Sequence, residues 1–197
     1  MDYKQNILDM AEQVQQWSLV ELNEIPKIPL YMEQVTSFFD EMLSGARRSE
    51  DDKILTKTMI NNYTKEGTLP RPNGKKYSRE HMIKLVYIFL LKQVHALQDV
   101  GHILALMDSH DAEPLYSAYL ELAQDSKQRY LAQLEQTMDD IANKLDEKGL
   151  DTRENFELLA MLLTVTDAIT GKMLVWRLLD QHAEECRSKA GNAKEKK

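Results

Sequence analysis

Lys57, Thr58, Asn61, Asn62 and Lys65 fall at helical spacing in the stretch TKTMINNYTKE, on the face opposite Met59, Ile60 and Tyr63. Their amide, hydroxyl and ammonium groups are of the kinds that bond phosphates and base edges, and asparagine can pair bidentately with adenine. Shortly after them come Arg71, Lys75, Lys76 and Tyr77 in TLPRPNGKKY. Cations there would act mainly by displacing counterions from a nucleic-acid backbone, which makes binding steeply salt-dependent. The chemistry expected of these nine residues is DNA contact, the helix reading the groove and the loop after it holding the backbone.

Other groupings are weaker. His182 and Cys186 stand four apart, one helical turn, but a closed zinc site needs four ligands and no second pair lies near in sequence. Asp51-Asp52 and Asp139-Asp140 are sequence neighbours, which on a helix do not face each other. Paired acid/base chemistry is therefore not expected of them. A glycine-rich phosphate loop, a nucleophile elbow and an HExxH motif are all missing. No enzyme activity, metal or cofactor is expected.

Charge singles out the same segment. The net charge is −7, yet residues 47–92 hold 11 Lys/Arg against 5 Asp/Glu, while residues 1–46 hold 2 against 8. One basic segment in an acidic chain can face phosphates while the remainder keeps the protein soluble. The single cysteine excludes an intramolecular disulfide, and the N-terminus shows no basic-then-apolar leader. The most apolar stretch, 158–179, carries Asp167, Lys172 and Arg177 and is expected to be a buried helix rather than a membrane span. A cytoplasmic protein is expected.

With 7 Gly and 5 Pro in 197 residues, long helices are favoured over many short strands. Ile7, Met10, Val14 and Trp17 mark an amphipathic helix over 4–20, broken by EIPKIP. Pro29 suits the first turn of the next helix, which is expected to bury Val35, Phe38, Phe39 and Leu43. Residues 44–53 read as a loop. Thr56 caps the short helix that carries the polar face, and Gly67 stands where such a helix ends. Asn73-Gly74 signals a hairpin. Ser78 caps a helix with Met82, Leu85, Val86, Phe89 and Val94 inward, and 97–107 forms a short helix. One long helix follows from about 111 to 148. Its second half repeats Leu131, Leu134, Met138, Ile141 and Leu145 at coiled-coil or bundle spacing. Gly149 ends it, and Asp151 with Glu154 caps a last helix over about 152–187.

Helix, hairpin, apolar helix and short helix over residues 54–107 resemble the DNA-binding domain of MerR-type transcriptional regulators. Thr56, Ile60, Tyr63, Glu66-Gly67, Leu69-Pro70 and Tyr77-Ser78 stand at the family's capping, packing and turn positions. Thr58, Asn61 and Asn62 stand where the family has Arg, Arg and Tyr, so contact residues differ while packing residues remain. The link from Leu43 to Thr56 is also longer than the family's turn. Over nearly the whole chain, IPLYMEQVTSFFDEML, DKILTKTMINNYTKEGTLP and KKYSREHM look like a bacterial family known only as a domain of unknown function.

The expected fold is all-α with a winged helix-turn-helix and a short β-hairpin wing, followed by a long helical hairpin. Residues 1–110 would form the DNA-binding-like domain, 111–188 a hairpin for dimerisation or sensing, and 189–197 a disordered tail. The MerR resemblance implies a homodimeric regulator that binds double-stranded DNA and leaves room for a small-molecule effector. The alternative is a helical protein-interaction module that keeps the scaffold without binding DNA.

Overall fold

A computed structural model describes residues 2–15, 17–49, 51–107 and 112–195, with side chains from 3 to 14 and, within the same ranges, from 17 to 187. The protein is mostly helical. Among the described residues, seven α-helices and one two-stranded sheet follow in the order α1 (Asp2–Gln15), β1 (Leu30–Tyr31), α2 (Met32–Met42), α3 (Lys57–Lys65), β2 (Lys76–Tyr77), α4 (Arg79–Lys92), α5 (Leu97–Ala105), α6 (Ala112–Lys148) and α7 (Arg153–Glu195).

Two cores hold the chain together. In the first, α4 is the central helix, burying Met82, Ile83, Leu85, Val86, Ile88 and Phe89. Around it pack Val35, Phe39 and Leu43 from α2 and the residue after it, Ile60 and Tyr63 from α3, Val100 and Leu104 from α5, and Tyr116 from the start of α6. Phe38 is only partly buried, and Val94 lies beyond α4 and is exposed. Tyr116 donates to the carbonyl of Val20 at 2.6 Å and meets Tyr87 edge-on, 5.5 Å between centroids. That bond satisfies a buried hydroxyl and carbonyl together and pins the segment before β1 to α6.

The second core is smaller. Leu134, Met138, Ile141 and Leu145 of α6 face Phe156 and Ala160 of α7, with Tyr3, Ile7, Leu8 and Ala11 of α1 closing over them. The 3–4 repeat of α6 is thus consumed within one chain as a three-helix contact. α1 packs in this core, although the sequence groups it with the first 110 residues. Lys4 pairs with Asp139, and Tyr3 donates to Asp151 at 2.5 Å. Gly149 has φ +64° and turns the chain between the two long helices. Thr152 starts α7, its hydroxyl accepting from the Asn155 amide at 3.3 Å, so the expected Asp151 cap is one residue early.

Three further expectations need correction. The segment after Pro29 begins with a strand, not a helix turn: Leu30 pairs with Tyr77 and Tyr31 with Lys76, antiparallel. Met10 and Val14, expected on the packed face of α1, are 50% and 73% exposed because Ile7, Leu8 and Ala11 take the contact. Most consequentially, α7 is not a buried helix. Beyond Ala160 none of its described side chains is buried. It is long and apolar enough to cross a membrane by length and composition, and 6% of its most apolar window is buried. Helical backbone also continues to Glu195, into the stretch expected to be disordered.

Candidate nucleic-acid interface

Helix α3 owes its start to Thr56, which has an extended backbone and whose side-chain oxygen accepts the Met59 amide at 3.2 Å. Gly67, with φ +79°, ends it, and the chain folds back so that the Leu69 amide donates to the Tyr63 carbonyl at 3.0 Å. Ile60 and Tyr63 are buried and Met59 partly so. Lys57, Thr58, Asn61, Asn62 and Lys65 are all exposed. At 3.6 residues per turn they occupy an arc of about 140°, centred away from the buried face. The expected division of this helix into an inward apolar face and an outward polar one therefore matches its placement.

The loop after α3 is held by a tight turn. The Lys76 amide donates to the Asn73 carbonyl at 3.0 Å, and Gly74 and Lys75 between them have φ +54° and +65°. Positive φ at both central positions is the type I′ turn of two-residue hairpins. Asn73 and Lys76 form an isolated bridge, while Lys76 and Tyr77 pair with β1. The hairpin is thus minimal, and its rigidity comes from the strand that precedes α2. Arg71, Lys75 and Lys76 are exposed. The Lys76 ammonium lies 5.0 Å from the centroid of Tyr31, an exposed ring on β1 that the sequence reading did not select. A two-residue strand leaves no periodic pattern by which Tyr31 could be placed beside the wing.

Tyr77 is a correction. Expected on the DNA-facing side, it is 3% exposed. Its ring meets His81 edge-on at 5.7 Å, and its hydroxyl engages Thr64 of α3. Burial raises its pKa above the usual phenol value. Tyr77 therefore joins the wing strand to α3 and α4 from inside, and its alternation with exposed Lys76 is that of a half-buried strand.

α4 opens beside this turn. His81 Nδ1 accepts the Ser78 amide at 3.2 Å and lies 2.7 Å from the Ser78 hydroxyl, a capping arrangement with histidine in the third position. Burial pushes the His81 imidazole below the usual histidine value, opposed by the Arg71 backbone and the Glu80 charge. Arg79, in the same basic segment, does not face outward. Its guanidinium donates to the carbonyls of Leu22, at 2.7 Å, and Ile25, and lies 2.9 Å from Glu113.

The connector from Leu43 to Thr56 is well anchored. Leu43, Ile54 and Leu55 are buried, Arg47 meets Asp40 at 2.8 Å, and the Asp52 carboxylate accepts the Arg48 and Ser49 amides at 2.9 and 3.0 Å. α2 and α3 therefore pack together despite the long link. Elsewhere, His182 and Cys186 sit 3.7 Å apart on the exposed part of α7. Among the described residues no cluster of three or more His, Cys, Asp or Glu could hold a metal ion.

These features define a class: a mostly helical protein whose small sheet braces an exposed polar helix and a basic turn. The chain belongs to the family described as Domain of unknown function (DUF1836), whose profile matches residues 20–122, just over half of it. The match spans β1 to the first part of α6 and leaves out α1 and α7. No curated protein and no solved structure matches the chain.

Proposed function

We propose that this protein is a cytoplasmic DNA-binding transcriptional regulator of MerR-like type, acting as a homodimer. The observation that carries the reading is the geometry of α3 and its wing. A helix anchored by Ile60 and Tyr63 presents five polar or cationic side chains outward. The turn that follows, locked to β1 and to Thr64, presents Arg71, Lys75 and Lys76. In such an arrangement the helix reads base edges and the wing cations hold phosphates. The strand before α2, pairing with the wing, and the packing of α2 on α3 support a winged helix-turn-helix with a lengthened connector.

The test is fluorescence anisotropy with random duplex DNA and with the gene's own upstream region across a salt series. Lys75→Ala with Lys76→Ala should weaken both equally and flatten the slope of log K against log salt by about 2, roughly 0.9 for each lost phosphate contact. Asn61→Ala should change the preference between the two DNAs. A wild-type protein without affinity for either DNA at low salt would sink this reading.

A second reading, a protein-interaction module on the same scaffold, is favoured by one contact. Lys57 is taken up by Glu33 at 2.6 Å, so one cation of the α3 face is already neutralised.

A further inference from the structure

Helix α7 is held at two places. Phe156 and Ala160 pack on α6 near its start, and near residue 176 the Trp176 indole donates to Asp99 of α5 at 3.3 Å. Between them the helix presents Leu158, Leu162, Val165, Ile169 and Met173 at steps of four, three, four and four, each 50–54% exposed. Such spacing makes one ridge along a helix. Beside it runs an open groove of about 1230 Å³. Its floor is Leu122, Tyr130 and Leu134 of α6, and its walls include Met10 and Val14 of α1 and Met161 of α7.

We infer that this ridge and groove are the two halves of one self-complementary interface, and that the occupant of the groove is α7 of a second copy of this chain. This deepens the dimer of the preceding proposal and shares nothing else with it, since neither surface includes a residue of α3 or the wing. An isologous two-fold contact requires each copy to bring both the inserting and the receiving surface, and this chain does so on adjacent faces.

Area supports the assignment. The five ridge residues, with Met161, Met10, Val14, Leu122 and Tyr130 of the groove, are 41–73% exposed. Together they offer on the order of 1,000 Å² per copy, against about 800 Å² per partner in a standard stable interface and 300–600 Å² for the largest patch of an ordinary monomer. A bilayer fits less well. Asp167 and Lys172 lie inside the apolar run, and each costs about 2.5–3.5 kcal/mol at the centre of a membrane helix. Insertion would also strip Phe156 and Ala160 from α6.

The experiment is light scattering coupled to gel filtration on the full chain without DNA, at a few concentrations. Wild type is compared with a ridge variant, Ile169→Glu, and a groove variant, Leu122→Glu. Both positions are exposed in the single chain, so helicity by circular dichroism should be unchanged in each. The expected result is a wild-type dimer, with dissociation constants raised at least about 100-fold in both variants, since each places an unpaired charge in an apolar contact. A monomeric wild type would overturn the inference. So would loss of the dimer in Ile169→Glu alone, which would mean ridge against ridge with the groove unused. Co-flotation of monomeric wild type with phosphatidylcholine–phosphatidylglycerol vesicles would replace the second copy with a bilayer. A monomer that still binds duplex DNA would remove the dimer and leave the DNA reading standing.

Discussion

The ammonium of Lys57, first residue of α3, lies 2.6 Å from the carboxylate of Glu33 on α2. The pair is exposed on both sides, and Lys57 draws the Glu33 pKa below the usual carboxylate value. Solvent screens such a pair, so it contributes little to stability. Its effect on binding is larger, because Lys57 must leave Glu33 or share it to meet a phosphate. Glu33→Gln should therefore tighten duplex binding several-fold at low salt and steepen the salt slope by about 0.9, one further phosphate contact. The thermal midpoint should stay where it is. Unchanged affinity in the anisotropy titration would show that Lys57 does not face DNA.

Tyr77 and its neighbour Lys76 should separate stability from binding. Tyr77 fills the space between the wing strand, Thr64 and His81. Tyr77→Ala should cost about 3–5 kcal/mol, as for other large buried rings. Tyr77→Phe keeps the ring and should cost about 1 kcal/mol for the hydroxyl contact. Lys76→Ala should leave the midpoint of urea unfolding in place while weakening DNA binding. A Tyr77→Ala protein as stable as wild type would contradict the burial seen here.

How much of this was legible in the sequence follows from how local each cause is. α3 was legible because Thr56, the Ile60–Tyr63 spacing and Gly67 all act within twelve residues. The α6 repeat and its hairpin with α7 were legible too, though the packing of α1 over them was not. β1 was missed because two residues carry no period and their partners, Tyr77 and Lys76, lie 47 and 45 positions on. Tyr77 was misplaced because an amphipathic ring beside two lysines has the composition of a contact surface, and only the strand register turns it inward. α7 was expected inside because apolar composition argues for burial. Its described side chains beyond Ala160 are not buried, and composition alone does not separate a helix buried in its own chain from one left open.

His81 gives a pH dependence with a definite sign. Its folded-state pKa is lowered by burial from an ordinary value of 6.5. The unfolded chain therefore takes up a proton first as pH falls, and protonation favours unfolding. Stability from this residue is fully present above about pH 6.5 and declines from there down through the depressed folded value. Glu80 and the Arg71 backbone oppose the shift and Lys84 adds to it. His81→Gln places a glutamine where a capping box accepts one and cannot titrate. Its urea midpoint should match wild type at pH 7.5 and exceed it at pH 5.5. Parallel curves for the two proteins over that range would rule out His81 as the group responsible.

At the alkaline end the tyrosine cluster should act with the opposite pH sense, stability being lost as pH rises. Burial raises Tyr87 to about 12 and Tyr116 and Tyr119 above the usual phenol value of 10. The unfolded chain loses these protons first, so stability should fall as pH rises above 10. Absorbance near 295 nm should show part of the tyrosines ionising normally and the remainder only as the protein unfolds. Tyr116→Phe removes one of the late group. It also leaves the Val20 carbonyl without its buried donor, at a cost of about 1–3 kcal/mol.

Lys75 occupies the second central position of the wing turn with φ +65°, a conformation that costs most L-residues about 1–2 kcal/mol. Asparagine tolerates it better, which is why type I′ turns favour Asn and Gly. Lys75→Asn should therefore stabilise the protein by up to about 1 kcal/mol, or about 2–4 °C in a chain of this size. The same change removes an exposed cation from the tip of the wing. If that cation meets a phosphate, duplex affinity should fall and the salt slope flatten by about 0.9, even as the melting temperature rises. Opposite signs in one variant are hard to produce by general damage. That outcome would give the strained lysine a use for its charge, whereas unchanged DNA affinity with a raised melting temperature would leave the strain without one.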